Sequence, residues 1–351
     1  MKKRNTVGMD MGDKNHRICV IGDDGRIIAK QDVKNDVEAI RSHFKDYEPC
    51  LIAMEAGTHS AWVSRELSAM GHEVLVGNPR KLRAIWDSDE KDDDRDAEML
   101  ARIARFDRSL LHPIHHRGKE VHADLAVIKA RDILVQARSR LVAHARGAVK
   151  SFGRRISTCS AESFHYKAME EIPEELRDAL TPVVKSIEDM TVRIRHYDKM
   201  VTELCEKKYS ETERIRGIRG VGPITSLAYV LTVGESSRFK KSRTAGAFLG
   251  LTTKRDKSGE TDKQLHITKA GNVYLRRLLV GSAQYIIGPF GPDCDLRRFG
   301  MKLAQRGGKN AKRRAVVAVA RKLAVMIHHI WASGEAYDPL YQKNHKQRKA
   351  A

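Results

Sequence analysis

The sequence has no long apolar run and few cysteines, and both absences limit what the protein can be. No stretch of about 18 uncharged apolar residues occurs, and residues 1–4 lead into a strand-like segment rather than an apolar signal core. A transmembrane or secreted protein is therefore not expected. The five cysteines are scattered and form no Cys-x-x-Cys pair, which argues against a disulfide framework and a thiolate zinc site. A reducing cytoplasm is the expected compartment.

The chain of 351 residues carries a formal net charge of +20, and nearly all of the excess lies in its last part. Residues 1–110 hold 19 basic and 21 acidic residues, and residues 111–210 hold 18 and 14. Residues 211–351 hold 28 basic and 10 acidic residues. A positive field beside a nearly neutral segment is typical of polyanion binding, so the last part is predicted to bind nucleic acid. The alternative, a solvated basic surface, fits the terminal residues 343–349.

Alternating apolar and amphipathic segments in residues 1–110 predict a mixed α/β sheet layer. Turn residues separate the first three strands, and Asp-Asp-Gly at residues 23–25 is the strongest hairpin signal. The predicted strands are residues 6–11, 17–21, 26–33, 50–54 and 73–76. The predicted helices are residues 37–47, 60–70 and 93–105.

Residues 111–210 change to the seven-residue apolar repeat of long packed helices. The positions in the first repeat are Val127, Ala130, Leu134, Ala137, Leu141 and Ala148. Those in the second are Leu180, Val183, Ile187, Met190, Ile194, Tyr197, Val201 and Leu204. The two helices are expected to form either an antiparallel hairpin within one chain or a coiled coil that joins subunits. Residues 211–351 predict a mainly α-helical basic domain, with helices at residues 273–282 and 311–331.

Acidic residues occur where two predicted strands end and where a predicted helix begins. Asp10 and Glu55 lie at the strand ends, and Asp93 and Asp96 share one face of the helix. Each has an ordinary alternative role, as a turn former, an ion-pair partner of lysine or a helix cap. Four gathered carboxylates would repel one another unless a divalent cation neutralised them, and Mg²⁺ prefers such oxygen ligands. Two ions about 4 Å apart assist phosphoryl transfer. Together the acids therefore predict an RNase H-like metal site.

Three segments resemble the signature of the IS110-type (DEDD) transposases of bacterial insertion sequences. They are Val-Gly-Met-Asp at residues 7–10, Ala-Met-Glu-Ala-Gly-Thr at residues 53–58, and residues 91–101. The resemblance implies that residues 1–110 form a RuvC-like metal-binding domain. The metal ligands that it implies are Asp10, Glu55, Asp93 and Asp96. Most members have Thr where this chain has Asp92, so Asp92 and Asp94 are alternatives to Asp93.

Segments of the last part resemble the carboxy-terminal transposase domain of the same family. They are residues 248–253, 257–259 and 267–277. The family's nucleophile is the serine of a Ser-Gly step, which corresponds to Ser258 here. From the residues alone, Lys-Ser-Gly between charged neighbours is typical of a surface turn. An unassisted serine hydroxyl is also a poor nucleophile, so the residues alone do not predict a catalytic role for Ser258. Residues 111–210 are then a helical coiled-coil linker or oligomerisation segment, and residues 211–351 the transposase domain.

The resemblance implies an RNA-guided transposase that cuts and rejoins DNA through a Mg²⁺-assisted covalent phosphoserine. Implied partners are double-stranded target and donor DNA and an element-encoded non-coding RNA, the guide or bridge RNA, bound largely through its A-form backbone. A homodimer or homotetramer is implied, in which the carboxylates of one subunit meet the serine of another. The expected location is the nucleoid in a bacterial cytoplasm, without a membrane partner.

Two other functions stay open on the sequence. A RuvC-like, Mg²⁺-dependent nuclease or junction resolvase would use the same carboxylates with water as the nucleophile, so it would tolerate Ser258→Ala. A non-catalytic RNA- or DNA-binding protein would use the acids structurally and would tolerate Asp10→Ala. The target site, the RNA sequence, the number of subunits and the phosphate attacked do not follow from the sequence.

Overall fold

The computed structural model describes residues 5–82 and 92–341. Contacts between residues divide the chain into two compact units, Met1–Gly118 and Lys119–Ala351. We call them the α/β unit and the helical unit. The predicted division after residues 110 and 210 stays a prediction. The first residue of the third motif, Lys91, and the basic tail at residues 343–349 lie outside the described residues.

A mixed five-stranded sheet forms the centre of the α/β unit as far as it is described. The strands are β1 (Thr6–Asp10), β2 (Asn15–Ile21), β3 (Ile27–Lys34), β4 (Leu51–Glu55) and β5 (Glu73–Gly77). Their order is β3-β2-β1-β4-β5, with β1 to β3 antiparallel and β4 and β5 parallel to β1. The helices are α1 (Val37–Phe44), α2 (Ser60–Ala69), α3 (Pro79–Leu82) and α4 (Asp93–Phe106). The predicted mixed α/β sheet is therefore confirmed.

The central strands β1 and β4 are buried on both faces. Successive side chains point to opposite sides of each strand, so each strand contributes to two cores. Met9 and Met54 belong to the core on the side of α1 and α2. On the other side, Ala53 packs in one cluster with Leu100 of α4. The central strands are correspondingly apolar and continuous, as in parallel sheets covered on both faces.

Helices dominate the helical unit. They are α5 (Lys119–Ser151), α6 (Phe164–Glu171), α7 (Arg177–Lys207), α8 (Glu211–Arg216), α9 (Pro223–Val233), α10 (Arg243–Phe248), α11 (Val273–Ile287), α12 (Asp295–Ala304) and α13 (Ala311–Ser333). An antiparallel hairpin of β6 (Thr253–Ser258) and β7 (Thr261–Ile267) lies between α10 and α11. The mainly helical character predicted for the last part of the chain is confirmed.

The long helices α5 and α7 pack along each other in opposite directions. Arg131 donates a hydrogen bond to Asp198 at 2.5 Å, and Arg138 donates one to Thr191 at 3.1 Å. Later positions of α5 therefore meet earlier positions of α7. This is the antiparallel pair within one chain that the heptad pattern allowed. A coiled coil between subunits stays a prediction.

The buried seam of these two helices differs in part from the predicted positions. In α7 the buried residues are Leu180, Val184, Ile187, Thr191, Ile194, Val201 and Cys205. In α5 they are Asp124, Ile128, Arg138, Ala145 and Val149, and none of these was predicted. The first position of each of the four predicted heptads in α7 is right. The second position is displaced by one residue in three of them, and in the remaining heptad Tyr197 is half-buried. The reason is that α6 and α9 also cover α7, so its apolar stripe is wider than a two-helix seam.

Helix α13 runs through the core of the helical unit. Val319, Leu323 and Ile327 are fully buried in that core. Among the described residues, α13 is also the one helix long and apolar enough to cross a membrane. Its opposite side carries exposed Arg313 and Arg321, so the helix combines a buried apolar face with a charged solvent face.

Candidate active site

Asp10 and Glu55 lie at the same end of neighbouring strands. β1 and β4 are parallel, and Met9 pairs with Met54 in their register. The next residue of each strand is therefore an acid, and both acids are half-buried. Because the carboxyl ends of parallel strands meet at one edge of a sheet, these two carboxylates share that edge.

Both carboxylates belong to the sheet face that α4 covers. Asp10 has the same strand parity as Gly8, and Glu55 has the same parity as Ala53. Gly8 lies directly against the backbone of α4, and Ala53 packs in one cluster with Leu100 of that helix. The alternation of β1 and β4 therefore directs both acids towards the layer in which α4 lies.

The first turn of α4 lies at the Asp10 end of β1. Arg17, which pairs with Asp10 across β1 and β2, bonds to Asp94 at the start of α4. Arg105, in the last turn of α4, donates to the backbone carbonyl of Asp23, beyond the opposite end of β2. The helix therefore starts at the end of the sheet where the strand-end acids lie.

Asp93 and Asp96 extend the buried stripe of α4 by one turn. Helical spacing places Asp93 in line with Ala97 and Leu100, and Asp96 in line with Leu100. Ala97 and Leu100 are buried against the sheet, whereas Asp93 is exposed and Asp96 is half-buried. The side of α4 that packs on the sheet therefore carries two acids in its first turn, where the helix reaches the end of the sheet.

The two neighbouring acids have other roles in the structure. Asp92 is the N-cap of α4, and its carboxylate accepts a hydrogen bond from the backbone N–H of Asp94 at 3.0 Å. The Asp94 carboxylate accepts from Arg17, and this hydrogen bond holds the pKa of Asp94 below its ordinary value. Both side chains are therefore engaged in positioning the start of α4.

The donor set suits a hard divalent cation, since it consists of carboxylate oxygens from two strand ends and one helix start. The structure brings Asp10 and Glu55 to one edge, under the helix that carries Asp93 and Asp96. Within residues 5–82 and 92–341, no group of three or more His, Cys, Asp or Glu is close enough to hold a metal ion. The carboxylates fit Mg²⁺ by their chemistry and lie at the same end of the sheet, but the structure does not gather the four of them to ligating distances.

Sequence reasoning missed Gly8 and Arg17, which fix the position of α4. A Cβ atom at Gly8 would lie 2.6 Å from the backbone nitrogen of Ala101, and closer still to the carbonyl oxygen of Ala97. Arg17 also bonds to Asp32 at 3.1 Å, so it ties α4 to both β2 and β3. The sequence offered one signal for the close approach of α4 to β1. A glycine lies two residues before the strand-end acid, and the later helix that carries the acids contains several alanines.

Ser258 lies at the tip of the β6–β7 hairpin. It pairs with Thr261 across a two-residue turn, in which Gly259 has a φ of +53°. This left-handed conformation favours glycine and matches the tight turn of a hairpin. Both strands are exposed almost throughout, so the Ser258 hydroxyl faces solvent in the described part of the chain.

Two family models match the chain. The DEDD transposase model of the IS110 type, described as "Transposase", matches residues 7–153. The model described as "Transposase IS116/IS110/IS902 family" matches residues 212–293. The first region contains the four carboxylates that the sequence predicted as ligands, and the second contains Ser258.

Several curated proteins are similar over much of the chain. A "Probable family 20 transposase" of Pseudomonas aeruginosa is 24% identical, over 95% of this chain and 98% of its own length. The "Transposase for insertion sequence element IS1111A" of Coxiella burnetii is 27% identical, over 96% of this chain and 92% of its own length. The "Transposase for insertion sequence element IS1328" of Yersinia enterocolitica is 27% identical, over 67% of this chain and 70% of its own length.

Proposed function

Because the chain belongs to the IS110 family of transposases, which makes it a DNA-cleaving and DNA-rejoining enzyme, we propose the residues and the route by which it acts. Asp10, Glu55, Asp93 and Asp96 of a RuvC-like domain hold Mg²⁺ at a scissile DNA phosphate. Ser258 attacks that phosphate, and the DNA becomes covalently attached to the protein.

One observation carries the metal site. Asp10 and Glu55 end adjacent parallel strands on the sheet face covered by α4, and α4 begins at that same end with Asp93 and Asp96. The order of a strand-end Asp, a strand-end Glu and a helical Asp-x-x-Asp matches the arrangement expected for RNase H-like enzymes. The N-cap role of Asp92 and the Arg17 partner of Asp94 support Asp93 and Asp96 as the ligands of the helix.

Bound Mg²⁺ would neutralise charge on the phosphate and on the attacking and leaving oxygens. The chain's own part is to hold its carboxylates in the correct place. Arg17 contributes to this placement, because its bonds to Asp94 and Asp32 hold the first turn of α4 against β2 and β3.

The covalent step exchanges one phosphoester bond for another. The Oγ atom of Ser258 forms a bond to phosphorus while the bond from phosphorus to one deoxyribose oxygen breaks. The serine proton passes to a base or to water, and the leaving oxygen takes up a proton. Attack by a hydroxyl of another DNA end reverses the exchange and releases Ser258. The number of phosphodiester bonds is conserved, so joining needs no ATP.

RNA guidance and subunit sharing belong to the proposal through the family resemblance. The concentration of positive charge in residues 211–351 supports a nucleic-acid partner for the helical unit. The guide RNA would pair with target and donor DNA, while the protein binds its backbone. Purification of the chain from cells that carry the complete element, followed by nuclease digestion, would reveal a discrete bound RNA.

An adduct assay tests the chemistry. The full chain is incubated with RNA, Mg²⁺ and end-labelled DNA, and a covalent protein–DNA species is sought on a denaturing gel. We expect the adduct from the wild type, and its loss with Ser258→Ala, with Asp10→Asn and in EDTA. Thr261→Ala is the matched control, because Thr261 is the backbone partner of Ser258 on the same exposed hairpin and the substitution also removes one hydroxyl. An adduct formed by Ser258→Ala would refute the serine assignment.

One observation favours a second candidate, in which water is the nucleophile. In the described part of the chain, no residue hydrogen-bonds to the Ser258 side chain, so no base activates it there. A RuvC-like nuclease or junction resolvase would cleave DNA through the same carboxylates without forming an adduct. Cleavage that survives Ser258→Ala but not Asp10→Asn would identify this function.

A further inference from the structure

The helical unit contains a large groove that the proposed chemistry does not use. Its volume is about 1660 Å³, and α13, α12 and β7 provide most of its lining. Pockets for small molecules commonly hold about 300–1,000 Å³. The groove is therefore better matched to a segment of a polymer than to a single small ligand.

One face of α13 lines the groove along nearly the whole helix. The lining residues recur every three or four positions from Asn310 to Ile330. At a rise of 1.5 Å per residue this face is about 30 Å long. A binding surface of this length can hold several nucleotides, as the single-strand sites of about 4–16 nucleotides on other folds do.

Six exposed basic side chains line one section of the groove. They are Arg243, Lys269, Arg313, Arg314, Arg321 and Lys322. Within residues 5–82 and 92–341, no carboxylate lies within ion-pair distance of any of these six side chains. Acidic residues lie towards the other end of α13, where Glu335 is 3.4 Å from His329. The basic section is complementary to a polyanion.

The first turn of α13 is basic, although a helix dipole favours acids there. Lys312, Arg313 and Arg314 are all exposed in this turn. These charges oppose the helix dipole and have no carboxylate partner among the described residues, so the fold itself does not account for them. A phosphate backbone bound in the groove would account for these charges.

The floor of the groove is apolar and includes an aromatic ring. Val317, Val325 and Met326 of α13 contribute to it, and Phe299 of α12 is half-buried beside them. The ammonium group of Lys322 lies 3.9 Å from the centroid of the Phe299 ring. Base faces stack on such rings, whereas the bases of a duplex stay paired inside the helix.

We propose that this groove binds a single strand of nucleic acid, with phosphates along the basic side chains and unpaired bases against Phe299 and the apolar floor. The inference rests on the proposed function, since it gives the nucleic-acid enzyme a strand-binding site whose lining does not include Ser258. An unpaired strand exists in such a reaction either in the guide RNA or in opened DNA, and both present the same phosphodiester backbone.

Binding is measured with the full chain in EDTA, using fluorescent strands of about 12 nucleotides. We expect Arg313→Gln/Arg314→Gln to weaken binding at least tenfold and to lower the salt slope by about 0.7 for each phosphate that the protein no longer neutralises. Phe299→Leu should weaken binding several-fold without changing the salt slope, because it removes stacking rather than charge. Neutralising Arg313 and Arg314 also relieves their conflict with the dipole, so the melting temperature should not fall.

The matched control is Arg193→Gln/Lys199→Gln, which removes two exposed charges from α7 outside the groove. We expect this variant to bind almost as the wild type does. Equal reductions in affinity for the two double variants would show that only the general charge matters and would overturn the proposal. Weakened duplex binding with unchanged single-strand binding would overturn it as well.

Comparing RNA with DNA strands distinguishes guide RNA from opened DNA as the strand that the groove binds. Tighter binding of the RNA strand would assign the groove to the guide, and tighter binding of the DNA strand would assign it to opened DNA. Since EDTA suppresses metal chemistry and Ser258 is untouched, failure of the adduct assay leaves this result unaffected. Conversely, a groove variant with normal strand affinity would refute strand binding in the groove and would leave the proposed role of Ser258 unaffected.

Discussion

Gly8 sets how closely α4 approaches the central strand of the α/β unit. A Cβ atom there would lie 2.6 Å from the backbone nitrogen of Ala101. We expect Gly8→Ala to push α4 outwards and to lower the free energy of unfolding by about 2–3 kcal/mol. It should also abolish adduct formation, because the helix carries two of the proposed ligands. Urea unfolding and the adduct assay measure the two effects.

Gly57 provides the comparison for Gly8. A Cβ atom at Gly57 would meet no heavy atom within 4 Å, and its backbone does not require glycine. Gly57→Ala should therefore change the free energy of unfolding by less than about 0.5 kcal/mol. Similar destabilisation in both variants would show that the effect at Gly8 does not come from its contact with α4.

Arg17 makes the stability of the α/β unit depend on acid pH. The pKa of Asp94 is lowered in the folded protein by its hydrogen bond to Arg17. The stabilisation is therefore complete above the unfolded pKa of about 3.9, and it is lost as the pH falls through the lower folded value. We expect Arg17→Met to lose less stability than the wild type between about pH 5 and pH 3. Urea midpoints at several pH values measure this, and parallel decreases would contradict the role of the pair.

The acidic site residues were predictable because their signal is local. Asp10 and Glu55 mark the ends of apolar strands, and Asp93 and Asp96 have helical spacing. Their neighbours could not be separated from them by sequence, because the roles of Asp92 and Asp94 depend on a cap and on a side chain from β2. Likewise, Gly8 and Arg17 act through the packing of α4 on the sheet, which no single segment encodes.

At the scale of elements, a polar triad joins the start of α5 to the end of α7. The Tyr209 hydroxyl donates to Asp124 at 2.6 Å, and the Lys208 ammonium lies 2.7 Å from the same carboxylate. Burial and the adjacent carboxylate raise the pKa of Tyr209, so its hydroxyl remains a donor. The triad thereby fixes the two long helices to each other at the end of the pair opposite the segment that connects them.

Loss of Asp124 should weaken this junction strongly. Asp124→Ala leaves a buried tyrosine hydroxyl without its acceptor, so we expect a loss of about 2 kcal/mol in the free energy of unfolding. Glu120→Ala is the control, because Glu120 also contacts Lys208 but is 83% exposed, and a loss of about 0.5 kcal/mol or less is expected. Thermal or urea unfolding would measure both variants. Equal effects would show that the triad does not hold the helices together.

The existence of both long helices followed from the heptad pattern, but their buried seam did not. In α7 the predicted positions Leu180 and Ile187 are buried, whereas Val184 and Thr191 replace the intervening predictions. The pattern assumes one partner helix, and the structure supplies several. In α5 the buried Asp124 and Arg138 are polar, so hydrophobic periodicity could not identify them.

At the scale of the whole molecule, the two parts of the proposed chemistry lie in different compact units. Asp10 and Glu55 belong to Met1–Gly118, and Ser258 belongs to Lys119–Ala351. The family resemblance leads us to propose that the carboxylates of one subunit serve the serine of another. Such sharing makes each active site dependent on assembly, so a single chain would remain inactive.

Mixing two inactive variants tests this sharing directly. The Asp10→Asn chain keeps its serine, and the Ser258→Ala chain keeps its carboxylates, so a mixed assembly would contain one intact composite site. With different tags on the two chains, we expect neither variant alone to form an adduct, and the mixture to form one on the Asp10→Asn chain only. Mixing before addition of RNA and DNA, with brief mild denaturation to exchange subunits, sets up the assemblies. If the mixture stays inactive while a pull-down through one tag recovers the chain that carries the other tag, the carboxylates and the serine act within one chain.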